Sequence, residues 1–157
     1  MSGPAAPAEP PPLSEGSDFV VYRPDGTLAS FDEIVDEAAS VDVVFVGEEH
    51  NDPITHRVQA QIFQQAFIKQ AATRPIVLSL EMFERDVQYV LDEYRAGLIT
   101  EDHFRRSSRP WENYEADYRP MVEFAIAHDL EVVAANAPRR YVNRASRLGR
   151  DSLGALG

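Results

Sequence analysis

The stretch Val43-Val44-Phe45-Val46-Gly47-Glu48-Glu49-His50-Asn51-Asp52-Pro53 sets two carboxylates and an imidazole between an apolar run and a proline. Imidazole and carboxylate together can ligate a hard divalent metal and activate a water, or pass a proton near neutral pH. A second apolar run, residues 76–80, leads into Glu81, and a third, residues 131–135, leads into Asn136 and Arg139. If the three runs are neighbouring parallel strands, Glu48, Glu49, His50, Glu81, Asn136 and Arg139 converge on one sheet edge, where open α/β sheets bind ligands. His50 and Glu81, assisted by Glu48, are then candidates for metal-dependent hydrolysis, and His50, Glu81 and His56 for metal ligation. His56 lies six residues past His50, which is not a helical metal-pair spacing, so the two imidazoles meet only if the turn between them folds back. Taken singly, each residue has an ordinary reading: a histidine before a helix caps it or faces water, and a glutamate after a strand is solvated. Convergence carries the functional argument. His103 and His128 fall at exposed helical positions and carry none of it.

The elements that must position these residues are written in the periodicity. Residues 41–46 are continuously Val/Phe-rich, as in a parallel strand buried on both faces. Asp52 can N-cap the next helix, with Pro53 at its first position, and residues 53–72 turn Val58, Ile62, Phe63, Ala66 and Phe67 inward. Upstream, residues 19–22 read as an edge strand closed by Pro24-Asp25-Gly26, and Ser30 with Glu33 makes a capping-box spacing for a helix facing inward through Phe31, Ile34, Val35 and Ala38. Downstream, the strand at 76–80 precedes a helix over Val87, Val90, Leu91 and Tyr94 that stops at Gly97. A short helical piece follows Thr100, residues 105–113 form a loop, a helix carries Tyr118, Met121, Val122 and Ala125, and a strand occupies 131–135. This rhythm predicts an α/β fold, a mostly parallel sheet with helices on both faces joined by right-handed crossovers. Residues 1–16, rich in Pro and Ala, read as a disordered arm before a single domain over 17–157.

Charge narrows the partners. The formal net charge is -11, which argues against binding nucleic acid or an anionic membrane, both of which need clustered Lys and Arg. The imbalance is uneven: residues 139–157 hold Arg139, Arg140, Arg144, Arg147 and Arg150 against one acid, Asp151, a local +4 that leaves -15 for residues 1–138. That basic tail reads as an amphipathic or solvated helix face, or as a patch for an anionic ligand group. The absence of cysteine excludes thiolate metal sites and disulfides. No apolar stretch approaches transmembrane length, and the N-terminal residues lack the pattern of a secretory signal, so the expected location is cytoplasmic.

A second chemical signal is the block from Arg109 to Pro120, which gathers the single tryptophan, Trp111, with Tyr114 and Tyr118. Such aromatics can simply plug the core beneath a loop. They can also wall a pocket for a flat apolar ligand, with a phenolate able to ligate ferric iron as in some haem proteins. Arg139 and Arg140 would then pair with the carboxylates of that ligand.

On Gly47-Glu48-Glu49-His50 with His56, Ser79-Leu80-Glu81-Met82-Phe83, the Trp111, Tyr114, Tyr118-Arg119-Pro120 block and Ala135-Asn136-Ala137-Pro138-Arg139, the chain resembles the ChaN-like haem-binding uptake proteins of the Tiki superfamily. The match runs in order from about Ser30 to Arg144. It implies an α/β domain that binds haem and serves iron acquisition. It also implies an alternative, since the wider superfamily uses Gly-x-x-His and strand-end glutamates in metal-dependent hydrolases, where His50 and Glu81 would form the site with a divalent metal. Members of the family continue beyond the position of Gly157 and are often exported, so the resemblance implies a domain truncated relative to the family, completed by a partner or by a second copy in a homo-oligomer.

Overall fold

A computed structural model describes residues 11–156, which form two compact units, one up to Lys69 and one from Gln70 onward. The expected disordered arm lies outside the described residues over 1–10. From residue 11 the chain has partners: Leu13 is buried, Gln61 donates to its carbonyl at 3.3 Å, and Arg57 donates to the Pro11 carbonyl.

The first unit opens on a hairpin, β1 (Val21–Tyr22) against β2 (Leu28–Ala29), antiparallel, with Val21 opposite Ala29. The predicted turn closes it. Gly26 sits at φ 84°, a conformation glycine takes without steric cost. The Asp25 carboxylate accepts from the Thr27 amide at 2.9 Å, the local bond that favours aspartate in turns. Ser30 then caps α1 (Phe31–Ala39) with both halves of the capping box formed, and Arg23 pairs with the capping Glu33. Phe19 meets Phe31 edge-on at 5.8 Å, and Val35 is buried in the amphipathic pattern read from sequence. Helix α2 (Pro53–Gln70) starts as expected, with the Asp52 carboxylate accepting the Ile54 amide at 2.9 Å as an N-cap does. Of its predicted inward residues only Ile62 is buried; Val58, Phe63, Ala66 and Phe67 are half-buried.

Residues 41–46 form no strand. They are hydrogen-bonded to no strand among the described residues, and Val43, Val44, Phe45 and Val46 are all exposed, Phe45 at 94%. The expectation of a doubly buried central strand is therefore corrected. Apolar composition measures what a segment would gain by burial, whereas a strand exists only where a neighbour supplies its hydrogen bonds.

The second unit holds the parallel pairing. β3 (Val77–Glu84) lies beside β4 (Glu131–Asn136) with Val77 opposite Glu131 and Leu80 opposite Ala134. The described parallel sheet thus has two strands, and β3 covers one face only: Leu78, Leu80 and Met82 are buried, while Val77, Ser79 and Glu81 are exposed. The α/β character stands; among the described residues the parallel sheet has two strands where three were expected. Between Leu80 and Glu84 the register slips, so β3 spends four steps where β4 spends two, and the strand runs three residues past Glu81.

Helix α3 (Gln88–Arg95) follows a short 3-10 turn, and α4 (Glu101–Ser108) is capped by the Thr100 hydroxyl. α4 covers the first part of the segment expected to be a loop, because Phe104 anchors it in the core. A π-helical turn over Tyr114–Tyr118 runs into α5 (Arg119–Ala127), and α6 (Arg139–Leu148) follows β4. The core of this unit is aromatic. Phe104 stacks on Tyr94 at 4.4 Å between ring centroids and meets Phe83 at 5.6 Å and Tyr114 at 5.9 Å. The offset and edge-on geometries are the ones that aromatic quadrupoles favour. Gln88 ties α3 to β4 by donating to the Val132 carbonyl at 2.8 Å and accepting from the Ala134 amide at 2.7 Å. The Tyr94 hydroxyl donates to Glu123 on α5 at 2.6 Å, and burial, then this bond, pushes that phenol above its ordinary range.

Two stability outcomes follow from this packing. Phe104→Ala empties the junction of four rings and is expected to lower unfolding free energy by about 3–5 kcal/mol. Tyr94→Phe keeps the ring stack and deletes one partly buried charge-assisted bond, an expected loss of about 1 kcal/mol. Urea denaturation followed by circular dichroism reads both, and equal losses for the two variants would contradict the ring junction as the main anchor.

Candidate functional site

In the first unit the predicted Glu-Glu-His turn does fold back, bringing His56 to it. His56 is 1% exposed, and its Nε2 stands 3.0 Å from the His50 carbonyl. A carbonyl only accepts, so Nε2 donates. At the other nitrogen, Gln59 Oε1 lies 3.2 Å away and Glu48 Oε2 3.4 Å away, and Gln59 in turn donates its amide to Glu48 at 3.1 Å. Glu48 is shared with His50, whose Nδ1 lies 3.8 Å from Oε1 on a largely exposed side chain. Both His56 nitrogens are thus committed to the turn, which gives the residue a structural task that sequence spacing does not reveal. Among the described residues no group of three or more His, Asp and Glu side chains stands close enough to hold a metal ion.

In the second unit the predicted strand-end carboxylate, Glu81, sits mid-strand on the exposed face of β3. Its place at the C-terminal edge is taken by Glu84 and, on the following turn, Asp86. These two carboxylates gather arginines from distant stretches. Arg109 donates to Glu84 at 3.2 Å and to Asp86 at 2.8 Å, the Arg139 amide donates to Glu84 at 3.1 Å, and Arg140 donates to the other Asp86 oxygen. The Arg139 guanidinium is 85% exposed and only 3.8 Å from Glu84 at its nearest. Three guanidiniums thus face two carboxylates, leaving one positive charge at the edge where Asn136 ends β4. The Arg140 hydrogen bond, reinforced by the charges of Arg109 and Arg140, holds the Asp86 carboxyl below its usual range.

Arg109 is the C-cap of α4 in the left-handed region, at φ 53° and ψ 49°. It also precedes Pro110, and both circumstances constrain the backbone of a residue with a Cβ. Its two ion pairs hold it there. The following block is core rather than open wall: Tyr114 and Tyr118 are 1% and 2% exposed, and only Trp111, edge-on to Tyr118 at 5.8 Å, is half-exposed. The Tyr114 hydroxyl has no hydrogen-bond partner among the described residues, and burial pushes its ionisation far up.

The structure therefore brings Glu48, His50 and His56 together in one unit and Asn136, Arg139 and Arg140 together in the other. Glu84, Asp86 and Arg109 belong to the second group, and the sequence reading does not single them out. A signal exists: the arginine excess after residue 138 needs carboxylates, and Glu84-Arg85-Asp86 supplies an acidic pair just beyond the β3 run.

No curated protein and no solved structure matches the chain. The family described as haem-binding uptake, Tiki superfamily, ChaN matches residues 34–156. That span takes in the folded-back turn, both strands of the parallel pair and the arginine-bearing edge, and the chain belongs to this family.

Proposed function

We propose that the protein binds haem in iron or haem uptake, with the ligand seated at the C-terminal edge of the β3–β4 sheet. The observation that carries this reading is the arginine cluster on Glu84 and Asp86: it has an uncompensated positive charge, an exposed guanidinium at Arg139, and α6 starting beside it. The donor set fits the group. The exposed Arg139 guanidinium can fork onto a carboxylate of haem, and the partly exposed Trp111 offers an aromatic surface for a flat macrocycle. The family supports haem as the cofactor. Burial argues against Tyr114 and Tyr118 as residues a macrocycle reaches, and supports a packing role for both.

The sheet's outer edges, unpaired among the described residues, together with the exposed run at 43–46, support self-association as part of this reading. Light scattering at rising concentration should show a mass above that of one chain; a constant single-chain mass at high concentration excludes it.

Hemin titration should give a saturable Soret shift. Arg139→Ala is expected to weaken it about fivefold, the modest value of an exposed ion pair. Protoporphyrin esterified at both carboxylates should bind wild type and variant alike; no Soret shift with wild-type protein contradicts the reading. The cluster also sets a pH dependence. Because the folded Asp86 carboxyl is depressed, its contribution is present above the unfolded value of about 3.9 and is lost as pH falls through the lower folded value. Wild-type stability should therefore drop below about pH 4, and Asp86→Asn should flatten that part of the melting-temperature profile while lowering it at neutral pH.

A further inference from the structure

The haem reading makes no use of the opposite end of the β3–β4 sheet. Val77 and Glu131 face each other where the two strands begin, and beside them lies an open groove of about 860 Å³, walled by the end of α3 and by the turns into both strands. Val77, nearly half exposed, and Leu98, 74% exposed, belong to its apolar surface. Its charged residues are Asp92, Glu93, Asp129 and Glu131 against Arg95 alone, four carboxylates to one guanidinium and a local -3. Arg95 lies 3.6 Å from Asp129, and Asp92 accepts from the Gln88 side-chain amide at 3.0 Å. Among the described residues, Glu93 and Glu131 meet no base.

Helix α6 carries the complementary combination. It contains no acid and no buried residue, and at helical spacing Val142, Ala145 and Leu148 share one side, with Val142 and Leu148 more than half exposed. Arg144 and Arg147 stand on the other side. Arg139 and Arg140 lean on Glu84 and Asp86, but Arg144 donates to the Ser152 carbonyl at 3.0 Å and Arg147 to the Asn143 side-chain oxygen at 2.9 Å. Neither of those partners is charged, so among the described residues both guanidiniums keep their full charge. Within one chain the two surfaces do not pair: the groove lies where β3 and β4 begin, and α6 starts past the other end of β4.

We infer that the groove at the start of β3 and β4 docks α6 of a second copy, with Val142 and Leu148 against Val77 and Leu98, and Arg144 and Arg147 against Glu93 and Glu131. The inference rests on the self-association read above and gives it a contact within the second unit. Because the two patches differ, the contact is heterologous: each copy offers one groove and one helix, and copies add head to tail into a ring or a filament. Charge sets the pairing, since an acidic groove and a basic helix attract while two grooves or two helices repel. Arg144 and Arg147 take no part in the Glu84 and Asp86 cluster, so this assembly needs no haem.

Sedimentation velocity on the full chain without hemin tests this. Wild type should pass beyond a dimer as concentration rises. Raising salt from about 0.1 M to about 1 M shortens the screening length from about 10 Å to about 3 Å and should weaken association about tenfold. Glu93→Lys with Glu131→Lys blocks the groove, and Arg144→Gln with Arg147→Gln blocks the helix; each double variant, with unchanged circular dichroism, should sediment as a single chain. Leu98→Lys, at an exposed position, should reproduce the groove variant. An equimolar mixture of the two double variants should form a one-to-one pair and grow no further, because one intact groove and one intact helix remain. Association that persists in either variant, or a mixture that forms no pair, overturns this contact while leaving self-association through the strand edges standing. A constant single-chain mass for wild type overturns self-association and this contact with it.

Discussion

Two carboxylates at the end of β3 organise the second unit's chemistry. Glu84 and Asp86 are two residues apart, and between them they hold Arg109 from the end of α4 and Arg139 and Arg140 from the start of α6. Charge neutrality is incomplete by one guanidinium, so the cluster both fixes local structure and leaves a cationic surface. The left-handed backbone at Arg109 shows the same constraint. A residue with a Cβ stays in that conformation before proline because its side chain has two carboxylate partners to satisfy.

Beneath that edge, the aromatic junction of Phe83, Tyr94, Phe104 and Tyr114 explains why the tyrosine-rich block is not an open pocket wall. An aromatic ring gains more from full burial against other rings than from lining a wet cleft, and the π-helical turn lets Tyr114 and Tyr118 both face inward within five residues. The cost is one buried hydroxyl on Tyr114 without a described partner. Polar chemistry at the surface is thereby left to residues of α6, which buries nothing and keeps its arginines at the edge.

The rules that are legible in the sequence are the local ones. Ser30 and Glu33 close a capping box, Asp52 and Pro53 start α2, Gly26 turns the hairpin, and Thr100 caps α4, because each involves atoms within a few residues. The apolar run at 41–46 misleads for the opposite reason: strand pairing is a property of two segments, and its run of valines says nothing about whether a neighbour arrives. Glu81 looks terminal because apolar residues give way to a carboxylate there, but the strand carries on, with Glu81 on the exposed face and Met82 inside, before the register slip buries Phe83 as well.

Sequence alone determined the α/β character, the helix starts, the arginine-rich final helix and the family motifs, since capping, periodicity and composition act over short distances. Only tertiary structure decided which residues share a site. His56 and Glu48 meet because a turn folds back, and Glu84 and Asp86 meet three arginines because a register slip lengthens β3 and two helix ends abut it. Ion pairs and burial are set by distances through space, and no spacing along the chain encodes those distances by itself.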